Sequence, residues 1–425
     1  MIMAGEIESM ASNMRSKMRG DTKSSSTPCI FRIPSILRRH NKEAYIPNAF
    51  SIGPFHHGEK DLEDKEKIKF DYLEGLLYRT RDPETTLMEC IKEIAKYETE
   101  ARKCYAEEIH MSKQAFIEML VLDGCFIVEL FRKDAGEVPK SENDLICSTS
   151  CMLQFLQHDL ILLENQIPWF VLELLFSLTS GWSETKSLLQ LALIFFGNLF
   201  SSEKSPIQLD LFANQEIQHI LDLLRSSLVL PLGEQQGQEE SSLSWQPIPS
   251  ATSIKESGIN FRKVRSPSIL DVKFIRGTLE MPSILIQETI EPAFRNLISY
   301  EQCYPNCSPR ITSYAILLDN LINNEEDVEE LGKSGILINW INPHDTPPFF
   351  KMLYHDTFVK EFYYWKLCWE VNKYQQKLWP KWRAFYAHNF FAKPWAIVSQ
   401  IAAAILLVLA ILLVLTFLQT IYSMK

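Results

Sequence analysis

The residues best equipped for chemistry are the adjacent histidines His56 and His57 and two carboxylates set in apolar sequence, Asp123 and Glu164. An imidazole titrates near neutral pH, and a carboxyl group kept out of water holds its proton to higher pH. Together they have the make-up of an acid–base site. On extended backbone, however, neighbouring side chains point to opposite faces. His56 and His57 therefore cannot ligate one metal without a turn, which Gly53 and Gly58 could supply. Asp123 sits in LVLDGCF, and Glu164-Asn165-Gln166 sits in LLENQIPWF. Polar groups in such surroundings cost about 1–3 kcal/mol each when left unpaired. A buried hydrogen-bonded network accounts for them without catalysis. In that network Asp123 or Glu164 pairs with Arg32, and Asn165 and Gln166 cap the helix that starts at Pro168. The network is the expectation, so no catalytic, cofactor-binding or metal-binding residue is assigned.

The nine cysteines do not change that reading. Cys147/Cys151 and Cys303/Cys307 are C-x3-C pairs, which share a helix face, and His158 follows the first pair. They lack the C-x2-C spacing of zinc and redox motifs. An odd, scattered set, several in apolar helical patterns, suits buried thiols in a reducing compartment. The sequence also contains no G-x-x-x-x-G-K-[ST], G-x-S-x-G, H-E-x-x-H or G-x-G-x-x-G pattern. The commonest nucleotide-binding, hydrolase and metalloprotease classes lose their support.

The elements that must position these residues are mostly helices. Residues 1–27 are polar and serine-rich and read as disordered. Pro34, Pro47 and Pro54 keep the next stretch extended. Apolar periodicity then predicts helices over Leu62–Leu77, from Pro83 onward, and from a Ser112 cap. Two more fall within Ser150–Leu178, broken by Pro168. Further helices are expected over Leu188–Phe200 and Ile217–Leu228. Residues 232–250 read as a flexible loop. β-Branched alternation around Arg276-Gly277 predicts a short hairpin. Helices resume over Glu288–Cys303, Thr312–Leu321, Glu325–Lys333, Pro347–Phe358 and from Lys360. The fold class is mainly α, as a helical domain in two stretches, 28–231 and 251–392.

Composition narrows the partners. The chain has 425 residues, is 46% hydrophobic and carries a net charge of −10. That is ample for a large core. It lacks the basic surface of a nucleic-acid binder. Residues 394–424 contain no charged side chain, and Ala396–Ile421 is apolar nearly throughout. A bilayer core about 30 Å thick needs roughly 20 apolar helical residues, so 396–421 is expected to be a single transmembrane helix. Lys377, Lys381, Arg383 and Lys393 precede it without an acidic residue. The N-terminus has no apolar signal region. Both features predict that the large domain faces the cytosol.

Several phrases resemble a plant family known as domain of unknown function 247. They are IFRIPSILRRHNKEAYIPNAFSIGPFHHG (30–58), MLVLDGCFIVELFR (119–132), DLILLENQIPWFVLELLF (159–176), and FRKVRSPSILDVKF with GTLEMPSILIQETIEPAFRNLISYEQC (261–303). The resemblance implies a plant protein with a mostly helical domain, one C-terminal membrane helix and no known catalytic activity. Some relatives look like determinants of pollen–stigma self-recognition in grasses. The functional expectation is a single-pass membrane protein that works as a protein-interaction or recognition module, without a cofactor. The alternative is a membrane-tethered enzyme using His56 or His57 with Asp123 or Glu164.

Overall fold

The structure is a computed structural model that describes residues 6–7, 9–12, 14–15, 27–140, 144–180, 185–203, 206–233, 245–376, 402 and 405–416. At its centre lies the helix Lys113–Asp134, with 17 of its 22 residues buried. It is preceded in the chain by α1 (Glu66–Tyr78) and α2 (Pro83–Lys103), so it is α3. Both starts follow from local chemistry. The Asp82 carboxylate accepts from Thr85 N with Pro83 in the first turn, and the Ser112 hydroxyl accepts from Ala115 N. A side-chain acceptor there satisfies a helix N–H that has no intrahelical partner. Next come α4 (Ser150–Leu160), α5 (Trp169–Leu178), α6 (Leu188–Phe195) and α7 (Ile220–Val229). Helices α1, α2 and α5 pack directly on α3. Gly124 permits the α3–α5 approach, because a Cβ there would lie 2.3 Å from Leu175 Cδ1.

The second stretch adds two small sheets and more helices. Strands β2 (Lys273–Ile275) and β3 (Thr278–Pro282) form the expected antiparallel hairpin. Its turn residues Arg276 and Gly277 both have positive φ, 49° and 81°. That is the backbone a tight hairpin needs. Strand β1 (Asn260–Val264) joins β3 on its other edge, in parallel. Strands β4 (Ile284–Ile286) and β5 (Leu337–Asn339) form a separate parallel pair. Between and after them run α8 (Ile290–Cys303), α9 (Arg310–Leu321), α10 (Glu325–Lys333), α11 (Thr346–Leu353) and α12 (Trp365–Gln375). One continuous hydrophobic core runs from Cys29 to Val371 and takes in both stretches.

Three expected helices are shorter than their apolar patterns. The run Leu188–Phe200 is helical only to Phe195. Beyond Gly197 the chain turns so that Phe200 O accepts from Leu285 N at 2.9 Å. The helix expected over Pro347–Phe358 ends at Leu353, and Asp356 beyond it has φ 63°. The helix expected from Lys360 begins at Trp365. Before it, Tyr363 N donates to Ser313 Oγ at 3.2 Å and Tyr364 Oη to Leu270 O at 2.6 Å. In all three places tertiary bonds or backbone turns override local periodicity.

Most of residues 1–27 and 234–244 of the expected loop lie outside the described residues. Of the expected span 396–421, residues 402 and 405–416 are described; they are helical and every side chain is exposed. Among the described residues no helix is long and apolar enough to cross a membrane.

Candidate functional site

The chemically able residues meet along one segment, the N-terminal strap of residues 28–58, which lies across the helical core. Its proline-rich sequence forms little regular structure, so its backbone N–H groups must find other acceptors. Side chains of the core supply them. Buried Asp159 accepts from Asn48 N (2.6 Å), Ala49 N (2.9 Å) and Phe50 N (2.8 Å). Asn165 Oδ1 accepts from Ile52 N at 2.7 Å. Its Nδ2 donates to Phe50 O (3.0 Å) and Asp159 O (2.9 Å). Asp123 Oδ2 accepts from Gly53 N at 2.8 Å. Gly53 has φ 75°, and a Cβ on it would lie 2.3 Å from Gln166 O. Only glycine fits both conditions.

Asp123 is fully engaged. Its Oδ1 accepts from Lys69 Nζ at 2.7 Å. Lys69 is wholly buried, donates to Ser51 O at 2.5 Å and pairs with Glu66 at 2.6 Å. Burial pushes the Asp123 carboxyl up from its ordinary value, while the Lys69 ammonium and Gly53 N–H pull it back. For Lys69, burial works against the charge, but the Asp123 and Glu66 carboxylates outweigh it and raise the ammonium. The two groups form a salt bridge at 2.7 Å, with each end bonded further.

Glu164 is held differently. Its Oε1 accepts from Ile33 N at 2.6 Å and pairs with Arg38. Its Oε2 lies 3.7 Å from Arg32 Nη1 and 3.7 Å from His56 Nε2. Neither Glu164 Oε2 nor His56 Nε2 has a hydrogen-bond partner, although both are buried. His56 Nδ1 contacts Glu59 Oε1 at 2.8 Å, and His57 is exposed. The two histidines thus part company, on a chain that bends and turns from Gly53 to Gly58.

Of the sequence-derived candidates, His56 and Glu164 come together, Asp123 is paired elsewhere and His57 faces solvent. The expected Arg32 partnership holds for Glu164, with Arg38 closer, and not for Asp123, whose cation is Lys69. Asn165 and Gln166 do not cap the helix after Pro168, whose start has no side-chain cap. Gln166 instead donates to Leu160 O (2.7 Å) and Leu162 O (2.8 Å) and accepts from Leu221 N (3.3 Å). Closing the turn between α4 and α5 takes both amides inward. Sequence reasoning missed Asp159, Lys69 and Arg38. Asp159 carried the same signal as Glu164, a carboxylate within an apolar run. Lys69 falls at helical spacing from Tyr72 and Leu76, on the buried stripe of α1.

No set of three or more His, Cys, Asp and Glu residues among those described has the geometry to hold a metal ion. His158 Nδ1 contacts Asn48 Nδ2 and Asp159 Oδ1, each at 2.9 Å, while Cys151 is exposed. A surface cleft of about 800 Å³, beside Trp340, Glu288 and Asp345, contains none of the candidates.

Comparison with known proteins agrees with the phrases that carry the strap and its clamps. The pattern of the family described as plant protein of unknown function, domain of unknown function 247, matches residues 30–409. UPF0481 protein At3g47200 of Arabidopsis thaliana is 31% identical over 408 residues, covering 90% of this chain and 85% of that protein. Putative UPF0481 protein At3g02645 of the same plant is 21% identical, covering 74% and 75%. No solved structure matches. This chain belongs to the plant domain of unknown function 247 family.

Proposed function

We propose that the protein is a membrane-anchored binding module, a rigid helical body that presents a surface to a protein partner and uses no cofactor. The observation that carries this reading is the employment of the reactive side chains. Asp159, Asn165, Asp123 and Lys69 spend their hydrogen-bonding capacity on the strap backbone and on each other. A satisfied buried network fixes a shape and leaves little for turnover. The anchor reading rests on the uncharged stretch 394–424 and on the exposed apolar helix at 405–416, from Ile405 to Leu415. An apolar helix that no described residue covers suits lipid. Basic residues at 377–393 favour a cytosolic body on the positive-inside rule.

Proximity labelling from the full chain in plant cells tests partner and membrane together. The expected result is a neighbour set distinct from that of an unrelated anchored control. An identical set overturns specific recognition. Protease added outside sealed vesicles digests a cytosolic body and spares a lumenal one. Resistance of the protein to alkaline extraction is expected of a spanning helix, and release into the soluble fraction removes the anchor.

A second reading, an acid–base site, is favoured by one observation, the facing atoms His56 Nε2 and Glu164 Oε2 at 3.7 Å. Ethoxyformylation separates the two readings. A scaffold role expects exposed His57 to react well ahead of buried His56, whereas a working acid–base histidine is reached at a comparable rate.

A further inference from the structure

Two cysteine pairs are brought together by the fold, although no sequence spacing links them. The first joins the strap to the end of α2. Cys29 N and Ile30 N both donate to Cys104 O at 2.9 Å, and Ala106 N donates to Ile30 O at 2.9 Å. Ile30 and Tyr105 form a parallel bridge, which sets Cys29 beside Cys104 one position earlier. Adjacent strands run roughly 4.8 Å apart, inside the Cα separation of about 4.4–6.8 Å that a disulfide spans. The Cys104 thiol lies against Glu100 O at 3.5 Å, at the end of α2 where the strap crosses it. The second pair, Cys90 on α2 and Cys125 on α3, lies on two helices that pack against each other. Both of its members are 1% exposed, whereas Cys104 is partly open to solvent.

We propose that Cys29 and Cys104 are a disulfide-forming modification site, with Cys104 as the attacking thiol and Cys29 as the resolving one. The oxidant is a low-molecular-weight disulfide of the glutathione type. The Cys104 thiolate attacks one sulfur of that disulfide; a Cys104–glutathione bond forms, the glutathione S–S bond breaks, and one glutathione leaves and takes up a proton. Cys29 then loses its proton and attacks Cys104 Sγ, displacing the second glutathione, which leaves as a thiol. Two protein thiols are oxidised and one disulfide is reduced to two thiols. The neighbouring Cys29 thiol draws the Cys104 thiol below the ordinary thiol range, against the effect of burial. Cys29 itself is held well above the ordinary thiol range, by that same pairing and then by burial. A partly exposed attacker beside a buried resolver is the order that exchange requires. In a reducing compartment the pair rests as thiols and closes when the glutathione pool becomes oxidised.

The link would tie position 29 to the end of α2 and hold the strap where Arg32 and Ile33 reach Glu164. The test uses the purified full-length chain in detergent, treated with oxidised glutathione, alkylated, digested without reduction and read by mass spectrometry. The expected product is a peptide pair joined through Cys29 and Cys104, with Cys104 reacting about tenfold or more faster than Cys90 or Cys125. Cys29→Ser should arrest the reaction at the Cys104–glutathione adduct, and Cys104→Ser should leave Cys29 unmodified. A wild-type chain that stops at the Cys104 adduct, or that joins Cys90 to Cys125 as fast, overturns the proposal. The wild-type result decides even where a serine variant fails to fold.

Discussion

The strap has two segments that are held by opposite means. Residues 49–53 are buried, with exposed Asn48 leading into them, and most of their bonds come from buried carboxylates and amides, down to the Lys69 ammonium that completes Asp123. Residues 29–33 alternate, with Cys29, Ile30 and Ile33 buried and Arg32 half in solvent, and are tied to Cys104 O, to His219 and to Glu164. The inner segment has every clamp matched. The outer one leaves Glu164 Oε2 and His56 Nε2 without bonds and keeps a thiol near water. The same residue type, a buried glutamate or aspartate, therefore locks one place and leaves another adjustable. What separates them is whether each remaining lone pair and proton finds a partner.

The largest effect should come from breaking the inner clamp. Asp123→Ala removes the fully buried partner of the Lys69 charge, leaving it Glu66 alone, and strips Gly53 N of its acceptor, so it should cost about 3–5 kcal/mol in denaturant unfolding. A loss below about 1 kcal/mol would mean the inner segment is not the lock described here. The outer segment offers a pH lever at His219. Burial lowers its imidazole to about 3, and the neutral ring bridges Cys29 O (3.1 Å) and Asp222 N (3.2 Å). A base depressed on folding stabilises above its unfolded value near 6.5, and that contribution fades as pH falls towards 3. Up to about 5 kcal/mol of stability is at stake over that window. Unfolding measured across it should lose this slope in His219→Asn; an unchanged slope would assign the acid sensitivity elsewhere.

Gly53→Ala probes the inner segment through the backbone. The positive φ and the approach to Gln166 O predict a loss of about 1–3 kcal/mol by thermal or chemical unfolding. The smallest effect is expected at the outer carboxylate. Glu164→Gln keeps an acceptor for Ile33 N and gives up the charge, so about 1 kcal/mol is expected. A loss as large as that of Asp123→Ala would erase the contrast between the segments.

Much of this was legible in the sequence for identifiable reasons. Helices with strong caps stand where Asp82-Pro83 and Ser112 place them, because cap chemistry is local. The hairpin at Arg276-Gly277 was legible for the same reason. Strand β1, by contrast, pairs in parallel with β3, and no turn joins them to give the pairing away. The candidate site was half legible. Asp123, Glu164, Asn165 and Gln166 stood out as polar residues in apolar runs, and all four are buried and bonded. Their partners were not, since Lys69, Arg38 and the strap amides lie up to 131 positions away. Nothing near Cys29 in the sequence points to Cys104; the bridge between Ile30 and Tyr105 creates that neighbourhood.

The reach of the strap's bonds also sets an order of events during synthesis. Asn296 Nδ2 grips Ala44 O across 252 positions, and Arg39 meets Asp356 across 317. Contacts so distant in sequence close late, after a large loss of chain freedom. The segment that leaves the ribosome early is therefore among the last to settle. Until α8 and the turn after α11 have emerged, its amides remain bonded to water and its apolar side chains stay open to chaperones. A chain cut short before Asp356 would lose the contacts that finish the strap, even with residues 28–58 intact.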